Sequence, residues 1–374
     1  MSKSESRVRV AIWGLGPLGQ IMAGKVWRHQ GLQLVGAIDP LPGRAGLDVG
    51  DLLGSGPTGV RVGADPDRIF VEGRPDVILV EPAERFSESV ARVQRSVEAG
   101  ANVISLDPEM AYPWASDADE AERLDDLGHA YGVTILGTGL QPGLLFDSLV
   151  AACTGASLEV ERIRATRLVD LSTLEADRLR TRGIGLSPSA YAEGLAKGTI
   201  RMEKGLQASV HLLADALGWR LDGLEESRHA IVARKPRVTS HIHVEPGQVG
   251  GCRHTVIGMV EGIPRLLLQE EHQVAPEAEG ADAGVRISVE GVPGITLELA
   301  PMLQVEKQAA AMAVNAIPAV LQAGAGLKST LDLTVPRALP TDLNHLLGDR
   351  GPTVEEVLAQ GWHQNELGHS GPSV

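Results

Sequence analysis

Aromatic residues are scarce in this chain: three Phe, three Tyr and five Trp among 374 residues. Leu, Val, Ile and Ala must therefore fill most of its core. Cysteine is scarcer still, with only Cys153 and Cys252, far apart. No CxxC pair and no Cys/His cluster stands at metal-ligand spacing, which argues against a disulfide framework and a bound metal. Two buried free thiols in a reducing cytoplasm are expected instead. No run of about 18 apolar residues occurs, and the polar start from Met1 to Arg9 lacks the apolar stretch of a signal peptide. A cytoplasmic protein without membrane spans is expected. Basic residues are outnumbered, 34 Lys and Arg against 48 Asp and Glu, for a net charge of -14. Binding nucleic acid takes a cationic surplus to displace counterions from phosphates. No segregated basic patch is visible, so nucleic acid and anionic membranes are poor partners.

What is present is a long chain with a regular rhythm. At about 100–200 residues per domain, its length suggests two domains. Residues 7–13 (RVRVAIW) read as a strand, then GLGPLG, then a helix over QIMAGKVWRHQ, then a strand over LQLVGAID. The Gly- and Pro-rich stretch 40–59 reads as a loop with a short helix. DVILV (76–80) is an apolar strand, 87–98 a helix ending near Gly100, and NVISL (102–106) a buried strand. A helix over 117–131 stops at Gly132, and a strand over 133–136 leads into GTGLQPG. Alternation of this kind implies a parallel sheet covered on both faces. After about Phe146 the pattern changes. A helix over 144–154 leads into β-rich segments: VERIRATRLV, RHAIVARKP, TSHIHVEP, CRHTVIGMVEG, PRLLLQEEHQV and VRISVEG. Helices are expected at 187–196 and 202–217, and another over 304–323 that packs back on the first domain. The expected class is α/β: an N-terminal Rossmann doubly wound parallel sheet, plus an α+β second domain with a largely antiparallel sheet. The expected divisions are 1–145, 146–303, a returning helix in 304–345, and a polar, mobile tail over 346–374.

Gly14-Leu15-Gly16-Pro17-Leu18-Gly19 fits GxGxxG. With 44 glycines in the chain that pattern alone is weak. Its context is specific: a strand before, a helix after, and Asp39 at the end of the next strand, twenty residues past Gly19. Gly14 permits the tight turn, Gly16 lets a pyrophosphate approach the backbone, and Gly19 allows close helix packing. The helix N-terminus offers unpaired N–H groups to the phosphates. Asp39 suits the two adenosine ribose hydroxyls and repels a 2′-phosphate, which favours NAD; Arg44 nearby leaves NADP open. The alternative is a glycine-rich turn beside a solvated aspartate.

Ligands of doubly wound sheets lie beyond the carboxyl ends of the strands. Three segments fall there: Glu81-Pro82-Ala83, Asp107 to Tyr112, and Gly137 to Gly143, which includes Gly139 and Gln141. Pro82, Gly139 and Gln141 are assigned to the cofactor side. Asp107 and Glu109 are the best ionisable candidates. A carboxylate suits amine chemistry, because an ammonium must lose a proton before hydride leaves its carbon, and the resulting iminium is cationic. Equally, one of the two acids caps the helix that starts nearby. Glu81 is read as a loop charge rather than a ribose ligand. His241 and His243 share a strand face without a third ligand, so they are read as strand residues and not a metal site. His129 is read as a C-terminal helix cap.

Together these segments resemble the 2,4-diaminopentanoate dehydrogenases and native amine dehydrogenases, a branch of the dihydrodipicolinate-reductase-like group. The similarity runs to about Pro340 and rests on GLGPLG with VGAID and DLLG, AGANVIS with PEMAYPW, GTGLQPGLLFDSL, GLSPSAYAEGLAKGTI, LLADALGW and VNAIPAVLQAGAGL. The resemblance implies reversible NAD(P)-dependent oxidative deamination of an amine or diamino acid to a ketone plus ammonia, in a homodimer joined through the second domain. It implies that Glu109 handles the amine, with Tyr112 and Trp114 in the same motif as pocket walls. Four sites depart from the family pattern. Pro108 replaces the first of two glutamates, Gln141 an asparagine, Gln304-Val305-Glu306 a His-Gly-Asp, and Glu203 a histidine. All bear on the substrate side. The paired histidines with a lysine typical of dihydrodipicolinate reductases are absent, as is the lysine of glucose–fructose-oxidoreductase-like enzymes. The rival expectations are a carbonyl or imine reductase and a dinucleotide-binding protein without chemistry.

Overall fold

A computed structural model describes residues 7–200, 205–300, 304–341 and 343. Glu203, the start of the helix expected from Met202 and the tail 346–374 lie outside the described residues.

The first half is built from β1 (Val8–Trp13), α1 (Pro17–Arg28), β2 (Leu32–Ile38), α2 (Val49–Leu53), β3 (Val62–Gly63) and α3 (Pro66–Gly73). It continues with β4 (Val77–Val80), α4 (Phe86–Glu98), β5 (Asn102–Ser105), α5 (Ala118–Tyr131) and β6 (Thr134–Gly137). The second half holds α6 (Ser148–Thr154), β7 (Glu159–Asp170), α7 (Ala176–Arg180), α8 (Pro188–Ala196), α9 (Leu206–Ala216), β8 (Gly223–Val232), β9 (Arg237–Val238) and β10 (His243–Val244). Then follow β11 (Val249–Val260), β12 (Ile263–Gln273), β13 (Gly284–Val292), β14 (Ile295–Leu299), α10 (Val305–Gln322) and β15 (Gly326–Lys328).

A seven-stranded sheet runs β15-β6-β5-β4-β1-β2-β3, parallel throughout. This is the doubly wound order with its reversal at β1/β4 and one late strand added. Every residue of β4 is buried, as expected for a strand covered on both faces. Val10 and Ile12 join α1 and α10 in one apolar cluster. Their neighbours Ala11 and Trp13 point the other way, into a cluster with α4 and α5. The late helix α10 lies on α1. Local chemistry sets the ends of these helices. The Asp117 carboxylate accepts from the Glu120 N–H to start α5, and Gly132 ends it at φ 68°.

The second sheet has six strands in the order β14-β13-β7-β12-β11-β8, antiparallel except for β7 with β12. One face packs on α6 and α9 through Ile163, Ala165, Val256, Leu268 and Ile287. Several boundaries differ from the sequence expectation. The helix expected from Leu144 begins only at Ser148, because 140–147 turns back on itself. TSHIHVEP contributes only the two-residue β10, which pairs with β9 outside the main sheet. Cys153 and Cys252 are in no disulfide and are only half-buried, not buried as expected. His241 and His243 lie near separate carboxylates, Glu175 and Glu245. His129 sits in the last turn of α5 against the Asp125 carbonyl.

Across the covered face, Arg167, Glu270, His254 and Arg228 stand in register on four adjacent strands. Arg167 and Glu270 bond at 3.0 Å, each side chain 5% exposed. Burial raises the Glu270 pKa, but the guanidinium of Arg167 above all holds it below the ordinary value. Removing one member of a buried pair strands the other. Glu270→Gln is therefore expected to cost about 3–5 kcal/mol of stability in chemical denaturation; a cost under about 1 kcal/mol would show that the pair does not hold the sheet.

Candidate active site

The turn after β1 and the acid after β2 meet at the carboxyl edge of the parallel sheet. Gly14 adopts φ 96°, a conformation closed to most side chains. A Cβ at Gly19 would lie 1.9 Å from the Gly14 carbonyl oxygen, so α1 can begin only with glycine there. Pro17 is the first residue of α1, and its missing N–H costs the helix nothing. Asp39 is 3% exposed. Its carboxylate accepts from the Leu15 N–H at 2.9 Å, the Leu41 N–H at 2.9 Å and the Arg44 guanidinium at 2.5 Å. Burial pushes its pKa up, but the two amides and Arg44 outweigh that and lower it. Asp39 thus stands charged, with Arg44 beside it.

Glu81 is the residue the sequence reading missed. It is not a loop charge: its side chain lies inside the glycine turn. The Gly16 N–H donates to Oε2 at 2.6 Å and the Leu18 N–H to Oε1 at 3.1 Å. A Cβ on Gly14 or Gly16 would meet this carboxylate at 2.9 Å or less. A signal was available, since Glu81 directly follows β4, the strand next to β1.

The loops after β4, β5 and β6 complete the edge. Pro82 follows Glu81, and the Ala83 N–H is held by Ser89. Asp107 and Glu109 separate by role. Asp107, 4% exposed, caps a 3-10 turn at Pro108–Ala111 and accepts from the Glu109 N–H at 3.0 Å and the Ser89 hydroxyl at 2.5 Å. The capping acid is therefore Asp107, while Glu109 sits half-buried on the turn. Gly137 makes that turn possible, because a Cβ there would lie 1.8 Å from the Met110 carbonyl oxygen. The Tyr112 and Trp114 rings meet at 5.1 Å between centroids, tilted by 51°, and the Tyr112 hydroxyl donates to Asp215 on α9. Their visible contribution is to dock this loop on the second sheet's helix. Gln141 accepts from the Phe146 N–H at 2.9 Å and donates to Ser209 at 3.0 Å. Ser209 in turn donates to Asp147, a fully buried carboxylate whose pKa burial raises. Gly143, at φ 129°, packs against Gly139.

A family model described as the 2,4-diaminopentanoate dehydrogenase C-terminal domain matches residues 144–349. The chain is 33% identical over 357 residues to 2,4-diaminopentanoate dehydrogenase of Acetoanaerobium sticklandii, covering 93% of this chain and 99% of that one. It belongs to the 2,4-diaminopentanoate dehydrogenase family. An amine dehydrogenase of Streptomyces virginiae is 26% identical over 360 residues, covering 89% of this chain and 98% of that one. The structure of an amine dehydrogenase from Mycobacterium smegmatis superposes with a TM-score of 0.77 at 23% identity, covering 90% of this chain and 98% of that one, which shows the shared fold.

As a member of this family the chain is a Rossmann-fold oxidoreductase. Its departures from the family pattern can now be placed. Pro108 opens the 3-10 turn that carries Glu109 and lies close to Gly205, just before α9. Gln141 reaches Ser209 on that same helix. Gln304 precedes α10, whose Glu306 lies 3.8 Å from Arg178. Pro108 and Gln141 thus sit where the parallel sheet meets α9. Among the described residues no cluster of three or more metal-ligating side chains occurs, and no helix is long and apolar enough to cross a membrane.

Proposed function

We propose that this protein is an NAD(P)-dependent amine dehydrogenase, catalysing reversible oxidative deamination of an amine or diamino acid to a ketone plus ammonia. The observation that carries this reading is the half-buried Glu109, held by a cap at Asp107 in the loop after β5, at the same carboxyl edge of the sheet as the glycine turn with β4 between them. The related enzyme of A. sticklandii bears the name of a diamino-acid dehydrogenase and that of S. virginiae an amine dehydrogenase, which supports the substrate class.

The turn fits a dinucleotide pyrophosphate, since its Gly16 and Leu18 amides already hold an anion, the Glu81 carboxylate. Gly14, Leu15, Gly16, Pro17, Leu18 and Gly19 would cradle the phosphates. Asp39 and Arg44 would face the adenosine ribose, and Pro82, Gly139 and Gln141 would border the nicotinamide side. When bound, the cofactor supplies a ring that accepts hydride. Glu109 takes the ammonium proton so that the nitrogen lone pair can support loss of hydride from the adjacent carbon. It passes that proton to solvent, and the regenerated carboxylate then stabilises the iminium cation and takes a proton from the water that attacks it; returned to the nitrogen of the carbinolamine, this proton lets ammonia leave. Tyr112 and Trp114 wall the space around the substrate carbon.

For this work residues 1–145 hold the cofactor, 146–303 the substrate and a second copy, and 304–345 return to the first part. A homodimer is supported by the sheet face opposite α9, where Ile257 and Leu267 lie side by side, half-buried. Two cysteines among 374 residues, neither in a disulfide, support a cytoplasmic site. The test is a spectrophotometric screen of amines and diamino acids with NAD+ and NADP+. Turnover of at least one amine is expected; none across the panel with either cofactor would reject the reading. NAD+ is the expected preference. Asp39→Ser should erode it by about tenfold or more, as judged by kcat/KM for the two cofactors, because the carboxylate no longer repels a 2′-phosphate.

A further inference from the structure

In this structure one carboxylate occupies the ground that a dinucleotide needs. The Gly16 and Leu18 amides that would face a pyrophosphate are bonded to the Oε2 and Oε1 atoms of Glu81. The glycines that clear a path for phosphate clear it here for this side chain, whose Cβ lies 2.8 Å from where a Gly14 Cβ would be. The backbone of Glu81 is fixed independently. Its N–H donates to the Trp13 carbonyl at 2.9 Å, and its carbonyl accepts from Arg92 at 3.2 Å. Turning the side chain therefore empties the seat without moving β4.

We propose that Glu81 is an internal stand-in for the cofactor pyrophosphate: it closes the glycine turn in the empty enzyme and must swing out before a dinucleotide binds. This rests on the reading that the turn holds the cofactor. A carboxylate and a pyrophosphate are both anions that accept charge-assisted bonds from backbone N–H groups, so they compete for the same donors. They also repel each other, so the two states exclude one another. The stand-in keeps the amides satisfied in the empty enzyme and reduces apparent affinity by the fraction of molecules in which the seat is open. Association should then saturate at high dinucleotide concentration, at the rate at which Glu81 leaves.

The test compares wild type with E81A and E81Q, using ADP, NADH and adenosine as probes in fluorescence and calorimetric titrations. E81A is expected to bind ADP and NADH about tenfold more tightly or better, with adenosine, which has no phosphate, unchanged. Stopped-flow NADH association should saturate in wild type and stay linear in E81A. E81Q, which keeps the size of the side chain and loses its charge, should fall between the two. It also guards against a folding defect in E81A. Unchanged or weaker ADP and NADH binding in both variants, with wild type still binding, would overturn the stand-in and leave the cofactor reading intact. Failure of all three proteins to bind either dinucleotide probe would overturn the cofactor reading itself, and the stand-in with it.

Discussion

Glu109→Gln is expected to lower kcat by about 10²-fold or more while NADH binding stays within a few-fold of wild type. The amide is nearly isosteric, so the turn and its Asp107 cap should persist. What it loses is the capacity to take a proton. In the deamination direction the substrate arrives as an ammonium, which has no lone pair to support departure of hydride. Without a base, only the small fraction of free amine reacts. The loss should therefore shrink as pH rises toward the substrate's own pKa. A pH profile of kcat/KM for both proteins checks this. Equal rates at neutral pH would remove Glu109 from catalysis and leave it a turn residue.

Gly137→Ala is expected to be nearly as damaging, although Gly137 is not proposed to contact the substrate. The added Cβ would sit 1.8 Å from the Met110 carbonyl oxygen, 2.1 Å from its carbon and 2.5 Å from the Ala111 nitrogen. All three are backbone atoms of the 3-10 turn that carries Glu109, so no side-chain rotation relieves the clash. The turn must retreat from β6 by more than an ångström. A displacement of about 1 Å at a reacting group can cost about 10²-fold in rate. Overpacking itself typically costs about 1–3 kcal/mol, so the variant should fold. The signature is a fall of about 10²-fold in kcat with dinucleotide Kd nearly unchanged, because the glycine turn lies on a different strand. Wild-type kcat in a folded variant would mean that Gly137 is kept for packing alone.

Much of this molecule was legible in its residues, and the rest was hidden for definable reasons. Strands such as DVILV and NVISL read as near-continuous apolar runs because both faces of the parallel sheet are covered, so their class could be read directly. The glycine turn was legible because its neighbours are local in sequence. β3 and α3 went unseen: β3 is two residues long, and α3 shows only Pro66, Phe70 and Gly73 as buried positions. β14 was missed because its positions alternate between half-buried and exposed, with none buried. The in-register row of Arg167, Glu270, His254 and Arg228 comes from four separate strands, and spacing along the chain cannot reveal it. Glu81 is the instructive case. It was seen at the strand edge, but only the geometry of β1 beside β4 brings its carboxylate into the turn. Asp107 and Glu109 were both candidates, and it took the capping bonds to assign the cap to one of them.

The most direct test of the central claim is the ammonium dependence of the reverse reaction. NADH and NADPH oxidation would be followed with a ketone partner of the best amine, at fixed pH, with and without ammonium chloride. An amine dehydrogenase predicts rates that rise and saturate with ammonium and vanish without it, and an aminated product that forms about 10²-fold more slowly with Glu109→Gln. Cofactor oxidation at the same rate without ammonium, giving the alcohol, would contradict the account and mark the protein as a carbonyl reductase.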